Sequence, residues 1–163
     1  KMKVTKKDVK IISHLRKNSR EMLTKLSRKT GVPVSTIFDR LKLYTDGFIK
    51  KNTSLVDFTM LGFNSRAKVI LKVDRSDREE LKSFIIKSKN VNSAYRINNG
   101  YDFMFEAIFR NMKDLENFIE IMERKFKISE KHVYYVIDDI KQEDFLSDSD
   151  AVEIAFPRKT QLL

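Results

Sequence analysis

Between residues 65 and 137 the apolar pattern switches between a period of two and a period of 3.6. The order is strand, helix, strand, strand, helix, strand. Ala67, Val69, Leu71 and Val73 alternate with Lys68, Ile70 and Lys72, which predicts a strand over 65–73. Ser76-x-x-Glu79 reads as a capping box opening a helix with Leu81, Phe84 and Ile85 inside, to about residue 88. Val91, Ser93, Tyr95 and Ile97 predict a second strand, and Asn98-Asn99-Gly100 a tight turn. The third strand sets Tyr101, Phe103, Phe105, Ala107 and Phe109 on one face and Asp102, Met104, Glu106 and Ile108 on the other. Asn111-x-x-Asp114 opens a helix with Leu115, Phe118, Ile119 and Met122 inside, and residues 133–137 give the last strand. This is the order of a ferredoxin-like sandwich. Two helices cover one sheet face. The other would expose Ile70, Met104, Ile108 and either Tyr134 or Val136, a patch that a monomer rarely leaves bare. Those five residues are the expected dimer interface.

The first third of the chain is a different material. Residues 1–58 hold fifteen Lys/Arg and five Asp/Glu, the whole +10 excess; the remaining 105 residues balance at eighteen of each. A basic module joined to a neutral one suits a polyanion-binding part beside a part with another task. Thr5-x-x-Asp8 starts a helix over about 6–17, with Val9, Ile12 and Leu15 at helical spacing. Asn18-Ser19 is a break and an expected N-cap for a second helix, marked by Met22, Leu23 and Leu26 and closed by Gly31. A third helix follows Pro33 and stops at Gly47, with Val34, Ile37, Phe38, Leu41 and Tyr44 as its expected core stripe. This is helix-turn-helix spacing. Residues 48–56 read as two short strands around a basic tip, a wing.

If that stripe is buried, Ser35, Thr36, Asp39, Arg40 and Lys42 face outward, where a major groove would meet them. Arg40 suits guanine; Ser35 and Thr36 suit bases or phosphates; Asp39 suits cytosine N4 or orients Arg40. Lys50, Lys51 and Arg20 suit the phosphate backbone, and Lys1, Lys3, Lys6 and Lys7 would extend it as an arm.

The chain has no cysteine and only His14 and His132 as histidines, which removes disulfide, zinc-thiolate and thiol-nucleophile chemistry. It carries no phosphate-loop, dinucleotide or nucleophile-elbow motif. No catalytic residue, metal site or cofactor is expected. No apolar stretch nears 18 residues and residues 1–5 lack a signal-peptide segment, so the expected location is cytoplasmic, with no membrane partner.

The stretches 8–20, 26–32 and 35–42, then Gly47-Phe-Ile, residues 55–63 and Gly100-Tyr-Asp, together resemble the Lrp/AsnC (leucine-responsive / asparagine) transcription regulators, archaeal in type. The resemblance covers about 8–137. It implies an α+β chain with an N-terminal winged helix-turn-helix and a C-terminal ferredoxin-like βαββαβ (RAM-type) domain. It further implies dimers that assemble into tetramers or octamers, pseudo-palindromic double-stranded DNA sites, and an amino acid or related small molecule as effector. The effector loop would be Asn99, Gly100, Tyr101 and Asp102. The expected division is 1–54 for DNA binding, 55–64 as a linking strand, 65–140 for effector and dimer, and 141–163 as an acidic extension. There are departures. The stretch from Gly31 to Gly47 is one residue short, Leu43-Tyr44-Thr45 replaces a basic-Leu-Glu pattern, and Glu130, Lys131 and His132 stand where small hydroxyl residues precede the last strand.

Residues 143–153 carry five carboxylates and no basic residue, and the plain expectation for them is a solvated end. Val152–Phe156 reads as a further edge strand. Two alternatives stay open: a non-specific architectural DNA-coating protein, and a siroheme decarboxylase-like enzyme of the same architecture.

Overall fold

The computed structural model describes residues 3–157. The chain divides into two units. Among the described residues, one joins those up to Ser54 with those from Ile140 to Pro157, and the other is Leu55–Asp139.

The first unit is helical. α1 (Lys6–Lys17) begins at the capping box the sequence predicts: the Asp8 carboxylate accepts from the Thr5 N–H at 2.7 Å, and the Asp8 N–H donates to Thr5 Oγ1 at 3.4 Å. α2 (Leu23–Thr30) ends on Gly31, whose φ of 70° is the left-handed cap that glycine adopts without strain. Its N-cap is Met22, not the expected Asn18-Ser19. Asn18 instead caps α1, and its side-chain oxygen accepts the Arg20 N–H. α3 (Val34–Thr45) follows Pro33. Ile11, Leu26, Val32, Ile37 and Tyr44 close a small core between the helices.

The wing strands do not form among the described residues. The N–H groups of Phe48 and Ile49 both turn back to the Tyr44 carbonyl at the end of α3, so they are not offered to a ladder. The acidic extension belongs to this unit and packs on α1. Its residues 151–155 form a helix, α6 (Ala151–Ala155), where an edge strand was expected. Ser147 and Ala151 are buried. The Arg16 guanidinium donates to the Glu143 and Phe145 carbonyls at 2.7 and 3.0 Å and pairs with the Glu143 carboxylate at 3.2 Å. Lys17 pairs with Asp148 at 2.9 Å, so the expectation of a merely solvated end is corrected. Lys1 and residues 158–163 lie outside the described residues.

The second unit is a four-stranded antiparallel sheet of β1 (Ser65–Val73), β2 (Val91–Arg96), β3 (Phe103–Phe109) and β4 (Ile128–Tyr135), in the order β2-β3-β1-β4. α4 (Arg78–Lys87) and α5 (Met112–Lys125) cover one face, burying Leu81, Ile85, Leu115, Ile119 and Met122 against Val69, Leu71 and Phe105. Residues 55–64 hold no strand. The Asp57 carboxylate accepts the Thr59 N–H and hydroxyl at 2.9 and 2.6 Å, which winds Phe58–Leu61 into a 3-10 turn. Ser76 does not cap α4; it hydrogen-bonds Asp74, and the N-cap is Asp77. The last strand starts earlier than the sequence suggests. The Lys127 N–H donates to Asp77 and its carbonyl accepts from the Asp74 N–H, and these two bonds lock β4 beside β1 from residue 128. Glu130, Lys131 and His132 are therefore strand residues, and Ser129 is the extra residue of a bulge opposite Lys72/Val73.

Candidate nucleic-acid interface

The outward side of α3 is fixed by what anchors its inward side. Ile37 and Tyr44 are fully buried, and Leu41 packs beside them. One helical turn separates 37 from 41 and 41 from 44, so Phe38 falls off this line and is 48% exposed rather than part of the core. Ser35, Phe38, Asp39 and Lys42 then share one exposed face, since i+3 and i+4 neighbours lie side by side. The Lys42 ammonium sits 4.4 Å from the Phe38 ring centroid.

Arg40 is placed differently from the expectation of a guanine-reading residue. It is half-buried on the flank of the packed side, with Nε 3.5 Å from Asp8 Oδ1. Asp8 is a fully buried hub: its carboxylate accepts from the Thr5 hydroxyl at 2.6 Å and from the Tyr44 hydroxyl at 2.6 Å. Burial works to raise the pKa of Asp8. The Thr5 and Tyr44 hydroxyls, the Thr5 N–H and the Arg40 charge outweigh it and hold the carboxyl below its usual value. Burial, and then this same bond, push the Tyr44 hydroxyl well above the usual tyrosine range. The sequence reading found Asp8 only as a helix cap; the tie across 36 residues to Tyr44 had no local signal.

Thr36 is half-buried, while Arg20, Lys50 and Lys51 are exposed. Among the described residues no carboxylate lies within ion-pair distance of Arg20, Lys42, Lys50 or Lys51. Some cations elsewhere in the unit are neutralised: Glu21 pairs with both Lys25 and Lys29, and the acidic extension takes Arg16 and Lys17. The basic groups without a carboxylate partner among the described residues thus include Lys42 on α3, Arg20 before α2 and Lys50 and Lys51 after α3, together with Lys6, Lys7 and Lys10 on α1 and Arg28 on α2.

In the second unit, Asn99 and Gly100 form the exposed hairpin turn, with φ of 62° and 85°. The Tyr101 hydroxyl lies 2.9 Å from His132 Nε2. The Asp102 carboxylate is buried and occupied: Oδ2 accepts the Val73 N–H at 3.0 Å and Oδ1 meets Arg78 at 2.7 Å. A shallow depression of about 440 Å³ lies beside Val73, lined also by Lys72, Arg75, Lys127 and Ser129.

The uncovered sheet face carries Ile70, Met104, Tyr134 and Val136, with Tyr134 57% exposed. Ile108 is on this face but only 8% exposed, and the Asn90 carbonyl and amide bond its backbone N–H and carbonyl. An ion pair between half-exposed Lys68 and buried Glu106, 2.7 Å apart, crosses this face. Among the described residues no three His, Cys, Asp or Glu side chains gather as a metal would need, and no helix is long and apolar enough to cross a membrane.

Comparison with known proteins adds a family to this geometry. The Lrp/AsnC ligand binding domain matches residues 66–145. The HTH-type transcriptional regulator FL11 of Pyrococcus furiosus is 33% identical over 116 residues, 71% of this chain and 77% of that protein. Among solved structures, B. subtilis LrpC is similar with a TM-score of 0.77 at 26% identity, covering 86% of this chain and 99% of the other. A transcriptional regulator from Neisseria meningitidis in complex with L-Met shares the fold at a TM-score of 0.78 and 21% identity, covering 86% and 94%.

Proposed function

Because the chain belongs to the Lrp/AsnC family of transcriptional regulators, we propose that it binds pseudo-palindromic double-stranded DNA as a homodimer, with α3 in the major groove. The observation that carries this reading is the exposed face of α3, on which Ser35, Asp39 and Lys42 stand with no internal partner for the Lys42 charge except the Phe38 ring. Ser35 and Asp39 meet base edges, and Lys42 meets a base or a phosphate. Lys50, Lys51 and Arg20 hold the backbone. Thr36 lies beside a phosphate. Arg40 is a positioning residue: through Asp8 it fixes the turn of α3 that presents the reading face.

Residues 1–54 do the binding and 65–140 carry the dimer and effector surfaces, with 55–64 joining them. The dimer forms through Ile70, Met104, Tyr134 and Val136, with Ile108 at the edge, because the second sheet face has no helix over it. Pairing of such dimers into tetramers or octamers follows the family pattern. An amino acid or related small molecule bound by Asn99, Gly100, Tyr101 and Asp102 tunes the regulator, as the L-Met bound to the Neisseria relative suggests. Such a protein works in the cytoplasm, beside its DNA, and is not an enzyme. The porphyrin-processing alternative is disfavoured because the two histidines belong to different units and His132 is occupied by Tyr101.

Selection of bound duplexes from a random pool, with and without a mixture of amino acids, tests the proposal. The expected product is an enriched inverted repeat whose half-sites lie about 10 base pairs apart or a multiple of that. A pool that stays random would favour the architectural reading.

A further inference from the structure

A phenylalanine half-exposed in the middle of a helix whose opposite side is packed needs a reason. The core of the first unit is complete without Phe38: Ile11, Leu26, Ile37 and Tyr44 are all fully buried. One turn earlier Val34 is 38% exposed, so a short apolar strip runs from Val34 to Phe38 along α3. Its border is polar and cationic: Ser35, Asp39 and Lys42, with the Lys42 ammonium against the ring. An apolar strip framed this way on a basic module suits a partner that is a polyanion with an apolar spot at its centre.

DNA offers such a spot in one place. Of the groups that base pairs present in the major groove, the thymine C5 methyl is the one apolar group that projects into it, beside hydrogen-bond donors and acceptors. An aromatic ring pressed onto N7, O6 or N4 groups would strip water from them and return no hydrogen bond. Pressed onto a methyl group it buries apolar surface on both partners. We infer that Phe38 is a specificity-determining residue that packs on the C5 methyl of one thymine in each half-site. The inference rests on the reading that α3 lies in the major groove.

The test uses the full chain and its selected duplex. Each thymine is replaced in turn by deoxyuridine, which lacks only the methyl group, affinity is measured for the native protein, Phe38→Ala and Asp39→Ala, and the consensus of each variant is selected afresh from the random pool. One thymine per half-site is expected at which deoxyuridine weakens the native protein about fourfold, the value of burying one methyl-sized group. Phe38→Ala is expected to lose that sensitivity while keeping its helical circular dichroism, because the side chain is outside the core. If the native protein ignores deoxyuridine everywhere, or Phe38→Ala stays equally sensitive, the inference is overturned. Asp39→Ala separates the premise from the inference. A changed consensus for Asp39→Ala with unchanged deoxyuridine sensitivity for Phe38→Ala refutes only the role of Phe38. An unchanged consensus in both variants refutes the placement of α3, and the inference with it.

Discussion

Asp8 concentrates much of the organisation of the DNA-binding unit in one side chain. It caps α1, accepts from Tyr44 at the far end of α3 and faces Arg40. A buried carboxylate is tolerable only with such partners, and removing it leaves the Tyr44 hydroxyl and the Arg40 guanidinium unmatched. Asp8→Asn is expected to destabilise the unit by about 2 kcal/mol, read by chemical denaturation at neutral pH. The pH dependence follows from the lowered pKa. The folded carboxyl titrates below its usual value of 3.8, so its stabilisation is present above that value and fades as pH falls through the folded value. The native protein should lose stability in that acid window, and Asp8→Asn should lose less; parallel curves would remove the hub. The sequence disclosed Asp8 as a cap because capping is local. It could not disclose the partners 32 and 36 positions away, and so Arg40 was read as facing DNA. Phe38 was misread for a related reason: residues 37 and 38 fit an apolar stripe equally well until Tyr44 and Leu41 fix the helix rotation.

At the scale of elements, the segments with local signals were legible and those shaped by distant contacts were not. α1 begins where the capping box says and α2 ends at Gly31. The Asn98-Asn99-Gly100 turn forms with the two positive φ values such a hairpin requires. The start of β4 depends on Asp74 and Asp77 gripping Lys127, and the packing of α6 on α1 depends on pairs more than 120 positions apart. The expected wing strands do not form because the Tyr44 carbonyl captures the N–H groups of residues 48 and 49. The segment still presents two lysines. Lys50→Ala is expected to weaken binding to selected and random duplexes alike and to lower the slope of log affinity against log salt by about one. A loss confined to the selected duplex would assign Lys50 to base reading instead.

For the whole molecule, the contrast is between a basic unit that leaves cations on α3 and in its flanking segments without carboxylate partners and a nearly neutral unit whose sheet keeps one face uncovered. The first suits DNA, and the second suits a copy of itself. Tyr134→Asp places a charge on the edge strand of the proposed dimer face. It is expected to weaken self-association by about thirtyfold, or roughly 2 kcal/mol, measured by sedimentation at several concentrations. Unchanged sedimentation would move the interface elsewhere.

The central claim, that α3's outward face reads sequence, meets its most direct test in a ratio of affinities. Binding to the selected duplex and to random duplex is measured at physiological salt for the native protein and for Ser35→Ala combined with Asp39→Ala. The native ratio should reach at least about 10³, and the double variant should lose most of it while holding random DNA as tightly as before. A ratio that survives both substitutions would mean that the sequence is read by some other surface.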